Sequence, residues 1–135
     1  MAILCQEQMA PGETILMVED DPLLRQTVAD GLRDRGYRVV EAADGNAALA
    51  ALNRDSNIRF LFTDIMMPGG MNGVTLARTA RSLHANLKIM FASGYSDRRV
   101  VAEWPEHLDF LQKPYGLETL ANRIASRLRQ KEAAE

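Results

Sequence analysis

The sequence predicts an α/β domain in which a central parallel sheet carries helices on both faces. Three observations carry that reading. Short continuous apolar runs recur along the chain, as strands buried on both faces require. Between them lie segments with apolar residues at helical spacing. The residues able to do chemistry cluster where the runs end, and in open α/β sheets ligands sit beyond the carboxyl ends of the strands.

The first dozen residues end in the breaker pair Pro11-Gly12 and read as a flexible arm, 1–12. Thr14-Ile15-Leu16-Met17-Val18 is the first strand, stopping at Glu19-Asp20-Asp21-Pro22. Pro22 suits the first helical turn with Asp21 as N-cap. Leu24, Val28 and Leu32 mark the buried face of that helix, and Gly36 its stop. Tyr37 to Glu41 reads as the second strand, and Asp44-Gly45 opens an Ala-rich helix through about Asn53. Phe60 to Asp64 is the third strand and Met67-Pro68-Gly69-Gly70 a loop, with a helix from Gly73 to about His84. Leu87 to Ala92 is the fourth strand, before Ser93-Gly94. A short helix is expected between Asp97 and Trp104, limited by Pro105. Leu108 to Leu111 is a weak fifth strand, and Leu117, Leu120, Ile124 and Leu128 mark a last helix. The working domain is expected over 13–129, with 130–135 a frayed tail.

Composition bounds the function. A chain of 135 residues, 47% hydrophobic and 25% charged, fits one globular domain. A net charge of −2 without a basic stripe argues against direct nucleic-acid binding. No apolar run nears the ~20 residues that span a bilayer, so no membrane insertion is expected. The single cysteine, Cys5, excludes an intramolecular disulfide and suits a cytoplasmic location. His84 and His107 read as surface or loop histidines. Trp104 and Tyr115 are either exposed or buried against the last helix.

The strand ends deliver Glu19 and Asp20, then Asp64, then Ser93, then Lys113 to one edge of the sheet. Singly, each has an ordinary explanation as a cap, turn or surface residue. Together they crowd three carboxylates, which repel one another unless a cation is present. All-oxygen ligands favour a hard divalent ion, Mg²⁺ or Mn²⁺. A carboxylate on such an edge can attack phosphorus to give an acyl phosphate.

These residues resemble the receiver domains of response regulators over about Thr14 to Leu128. The matching text is Ile15 to Arg25, Thr63-Asp64-Ile65-Met66-Met67-Pro68, Asn72-Gly73, Phe91-Ala92-Ser93-Gly94-Tyr95 and Lys113-Pro114. The resemblance implies a doubly wound, flavodoxin-like sheet of order 2-1-3-4-5. It implies that Asp64 accepts a phosphoryl group from a phosphohistidine. Asp20 would ligate the metal directly, Glu19 through water, with Asp64 and the Met66 backbone carbonyl completing the set. Ser93 would reach the phosphoryl oxygen in the active state, Lys113 would pair with it, and Pro114 would follow a cis bond. Phe110 takes the switch-aromatic position, filling space that Ser93 vacates, so that the surface of segment 97–104, the fifth strand and the last helix changes partner affinity. The implied partners are a histidine kinase or histidine phosphotransfer protein, and an unidentified downstream protein.

Two features depart from the family pattern. The loop 67–73 is one residue longer than usual, with Asn72 where Asp is frequent, and the interval from Ser93 to Lys113 is slightly short. The wording from Pro68 through Tyr95 looks most like receivers of hybrid histidine kinases or stand-alone receivers, and no output domain is expected. Met66 and Tyr95 are neither acids nor amides, so slow loss of the phosphoryl group is expected. The main alternative is a module of the same fold that works without phosphorylation. A phosphohydrolase would want a general acid where Met66 stands, and a flavodoxin-like cofactor binder a phosphate loop where Glu19 and Asp20 stand.

Overall fold

The computed structural model describes residues 12–67, 69–94 and 109–130. The expected arm and tail, the helix expected between Asp97 and Trp104, Cys5, Pro68, Tyr95, Pro105 and His107 lie outside them, save Gly12 and Gln130. The described elements are β1 (Thr14–Val18), α1 (Pro22–Asp34), β2 (Arg38–Ala42), α2 (Gly45–Arg54), β3 (Ile58–Asp64), α3 (Gly73–Leu83), β4 (Lys88–Ser93), β5 (Phe110–Gln112) and α4 (Leu117–Arg129). All pairings are parallel and the order is β2-β1-β3-β4-β5, as expected.

Alternation within the apolar runs divides the core. Ile15 and Met17 face one side of β1 with Phe60, Phe62 and Met90, covered by Val28 and Leu32 of α1 and Leu120 and Ile124 of α4. Leu16 and Val18 face the other with Leu61, Ile89 and Phe91, under Leu52 of α2 and Leu76 of α3. A strand buried on both faces has no polar side to show, which is why β1 reads as an unbroken run.

Local chemistry sets the ends. Asp21 Oδ1 accepts from the N–H groups of Leu23 and Leu24 at 3.0 and 3.4 Å, capping α1 with Pro22 in its first turn. Asp44 caps α2 by accepting from Ala47 N at 2.8 Å. Asn72, the departure in the long loop, is the N-cap of α3: its Oδ1 accepts from Thr75 N at 2.9 Å. Asn serves there as well as Asp because capping uses the side-chain oxygen, not its charge.

Several boundaries differ from expectation. β3 begins at Ile58 rather than Phe60, because Ile58 pairs with Thr14 before a register shift. β2 and β4 lie one residue later than expected. Of the expected fifth strand, Leu108 lies outside the described residues and Asp109 precedes the strand; β5 runs from Phe110 and alternates as an edge strand, with Leu111 buried and Phe110 40% exposed. Phe110 is thus not a core aromatic. Just before it, Asp109 is held by Arg123 and Arg127 of α4. His84 is the C-cap of α3 and its Nε2 donates to the Leu52 carbonyl at 3.0 Å, so it links two helices rather than standing free. No helix among the described residues is long and apolar enough to cross a membrane.

Replacing Asn72 by Ala should lower unfolding free energy by about 1 kcal/mol through loss of the cap. Urea denaturation should show a lower midpoint at unchanged slope.

Candidate functional site

Strand register builds the site in steps. Val18 pairs with Thr63, which sets the next residues, Glu19 and Asp64, level at the sheet edge. Asp64 pairs with Ala92, so Ser93 stands one step beyond it. Ser93 pairs with Gln112, so the next residue, Lys113, completes the row. Glu19, Asp64 and Ser93 are buried, whereas Asp20 is exposed.

Lys113 Nζ lies 2.8 Å from Asp64 Oδ1 and 3.1 Å from Glu19 Oε1, bridging the two buried acids. The second oxygen of Glu19 accepts from Asp21 N at 3.0 Å. The Lys113–Pro114 peptide is cis. One carboxylate oxygen from each of Glu19, Asp20 and Asp64 falls within 4.8 Å of the others. The structure therefore brings together the acids, Ser93 and Lys113. Ser93 Oγ has a weak 3.5 Å contact to the Gly94 carbonyl. Phe110 pairs with Phe91, two register steps before Ser93 and its partner Gln112, and is 40% exposed. Met66, two residues after Asp64, is 54% exposed.

The loop after Asp64 is held against the strand end. Ile65 is buried and its carbonyl accepts from Gly73 N at 2.6 Å. A Cβ on Gly73 would stand 2.0 Å from the Asp64 carbonyl oxygen, so only glycine permits this approach. Between these anchors Gly69 and Gly70 take φ of 90° and 86°, the left-handed backbone that accommodates the extra residue.

The electrostatics report a shortage of positive charge. Burial, then the neighbouring Glu19, raises the Asp64 carboxyl from 3.8 to about 7 although Lys113 pulls the other way. For Glu19 burial also opposes ionisation, but the Asp21 N–H, the hydrogen bond with Asp64 and Lys113 outweigh it and hold its carboxyl below the usual value. Burial works against the Lys113 ammonium, yet its two acid partners raise its pKa. Among the described residues, Lys113 thus bridges two carboxylates of a group of three. An all-oxygen set with one partner held half-protonated near neutrality fits a hard divalent cation.

Two neighbours adjoin the site that the sequence did not place in it: Tyr115, expected to be either exposed or buried against the last helix, and Arg25. Tyr115 packs edge-on against Phe62 at 5.5 Å between centroids, and its buried hydroxyl has no hydrogen-bond partner among the described residues. Burial first, then Glu19 and Asp64, push that hydroxyl's pKa up. Arg25 reaches the Glu19 carbonyl. Its place one turn into α1 after Asp21 was the available signal, but the spacing alone does not say which way a long side chain turns.

Comparison with known proteins agrees with the fold. A family model described as "Response regulator receiver domain" matches residues 15–125. The sensor kinase CckA of Brucella abortus is 34% identical over 127 residues, 92% of this chain but 13% of that kinase. The response regulator receiver protein CpdR of the same organism is 34% identical over 116 residues, 84% of this chain and 95% of that protein. A crystal structure of the receiver domain from the hybrid histidine kinase CckA is 36% identical, with a TM-score of 0.72, over 86% of this chain and 99% of that one. The relatives thus include both a kinase-borne receiver and one of this chain's size.

Asp64 gives a pH signature. Its folded-state pKa is raised, so the fold retains a proton that the unfolded chain releases near 3.8. The associated stability is complete below that value and is lost as pH rises through about 7. At pH 8 without divalent cation, Asp64→Asn should be more stable than wild type by about 1–3 kcal/mol, read by urea unfolding. At pH 3 the difference should shrink towards zero. A wild type as stable at pH 8 as its variant would contradict the buried charge.

Proposed function

The chain belongs to the response regulator receiver domain family, and from that premise we propose that it takes a phosphoryl group from a phosphohistidine onto Asp64 and so changes its protein contacts. The observation that carries the proposal is the Lys113 bridge to a buried, partly desolvated Asp64 and Glu19 beside Asp20.

An ionised Asp64 oxygen attacks phosphorus. The new O–P bond forms as the P–N bond to the donor imidazole breaks, and the imidazole nitrogen keeps the electron pair. Glu19, Asp20, Asp64 and the Met66 carbonyl would hold Mg²⁺ (or Mn²⁺), which when bound supplies positive charge to the phosphoryl oxygens. Lys113 exchanges its contact with Asp64 Oδ1 for a phosphoryl oxygen, still tethered by Glu19. A donor imidazole would approach from beyond the carboxyl ends of the strands, the side on which Asp20 is exposed. The donor is a histidine kinase or histidine phosphotransfer protein, which puts the chain in the cytoplasm. Residues 13–129 form the working unit, flanked by the arm 1–12 and the tail 130–135.

Phosphorylation then biases two arrangements. Ser93 Oγ, weakly held now, turns to a phosphoryl oxygen, and Phe110 moves from its outward position into the space released. With no hydroxyl on Phe110 the change is one of packing. The downstream protein reads the altered surface of β5, α4 and segment 97–104. A covalent group shifts such an equilibrium only by its unequal interaction with the two states.

The lifetime follows from the rim. Met66 is apolar and half-exposed and cannot orient a water towards phosphorus. Acyl-phosphate decay at neutral pH should take minutes or longer, and Met66→Asn should speed it severalfold. Incubation with phosphorylated histidine kinases and Mg²⁺ should label the wild type, whereas Asp64→Asn should remain unlabelled and Lys113→Ala should label far more slowly. A wild type that neither accepts phosphoryl nor responds to beryllofluoride with Mg²⁺ would point instead to a module that works unphosphorylated.

A further inference from the structure

The turn that carries Glu19 and Asp20 is closed from outside by a side chain with no part in the phosphoryl chemistry. Arg25 lies one turn into α1, where its own N–H donates to the Asp21 carbonyl at 2.9 Å. Its side chain doubles back. Nη1 donates to the Glu19 carbonyl at 2.8 Å, and Nε donates to Glu41 Oε1 on β2 at 3.3 Å. The other oxygen of Glu41 pairs with Arg33 Nη1 at 3.1 Å, and Arg33 Nη2 donates to the Val39 carbonyl at 2.8 Å. On the strand side, Glu19 N donates to the Ala42 carbonyl at 3.1 Å. The Arg25 and Glu41 side chains are largely shielded, at 19% and 27% exposure.

We propose that Arg25 is a positioning residue for the acid pair: its guanidinium, anchored by Glu41, fixes the peptide between Glu19 and Asp20 and with it the directions in which their carboxylates face Asp64. The guanidinium fork is rigid, so a donor caught by Glu41 places the other donor on the Glu19 carbonyl in one orientation. The inference rests on the divalent-cation reading above and adds the support that orients its ligands.

Two effects of Arg25 on a bound cation have opposite signs. Its positive charge repels a divalent ion, so removing the charge alone would tighten binding. Removing the clamp frees the peptide and weakens binding, and groups that orient metal ligands are worth about 10–100-fold in affinity. The sign of the change therefore separates positioning from through-space charge.

Mg²⁺ is titrated into the full 135-residue chain without phosphodonor, and affinity is read from backbone amide NMR shifts. Arg25→Ala and Arg25→Met should weaken Mg²⁺ about tenfold or more. Arg33→Ala removes the other partner of Glu41 and loses stability of its own, but should leave affinity within about twofold. Met keeps the aliphatic stem, so that variant carries the test if the Ala form unfolds. Unchanged or tighter binding in the Arg25 variants, or equal weakening in Arg33→Ala, overturns the proposal. A wild type with no saturable Mg²⁺ response overturns the divalent-cation reading itself, and the proposal with it.

Discussion

The constraint on which this molecule turns is the confinement of negative charge at one rim of the sheet. Glu19 and Asp64 are nearly inaccessible to water, Asp20 stands beside them, and a single ammonium, Lys113, spans the two buried acids. A carboxylate that loses water must be repaid by partners or keep its proton. Glu19 has the partners, from Asp21 N and Lys113, and ionises readily. Asp64 has fewer and is pushed to about 7. The same scarcity that makes Asp64 costly to ionise leaves an all-oxygen group that suits a hard divalent cation.

The fold exists to hold that rim rigid. The central strands β1, β3 and β4 are packed on both faces, by α1 and α4 on one side and by α2 and α3 on the other. Register then passes the position of one acid to the next: β1 to β3 sets Glu19 level with Asp64, and β3 to β4 to β5 sets Ser93 and Lys113. A slip of one residue would turn an acid from the rim into the core. The loop after Asp64 is pinned at Ile65 and Gly73, so its extra residue bulges between fixed ends without disturbing the strand end.

Not all of the site's support comes from the residues that meet the ligand. Arg25 grips the carbonyl of Glu19, and Glu41 anchors it from β2. Phe110 stands outward on an edge strand, in register with Phe91 two residues before Ser93.

The sequence by itself determined the layers and the strand-end residues. A short unbroken run such as Ile15 to Val18, stopped by Glu19-Asp20-Asp21-Pro22, suits a strand covered twice, and Asp21-Pro22 writes a helix start in side-chain chemistry. Those signals are local, so they are legible in a string. The strand order came from likeness to a family, because periodicity is the same whichever neighbour a strand takes. What only the tertiary structure decided depends on distant chain segments meeting. Ile58 joins β3 through its pairing with Thr14, Phe110 turns outward because β5 is an edge, and His84 ties to Leu52. Lys113 chooses two acids over solvent, and Arg25 turns back to the strand rather than outward. Burial and charge pairing act through space, and 94 residues separate Glu19 from the lysine that balances it.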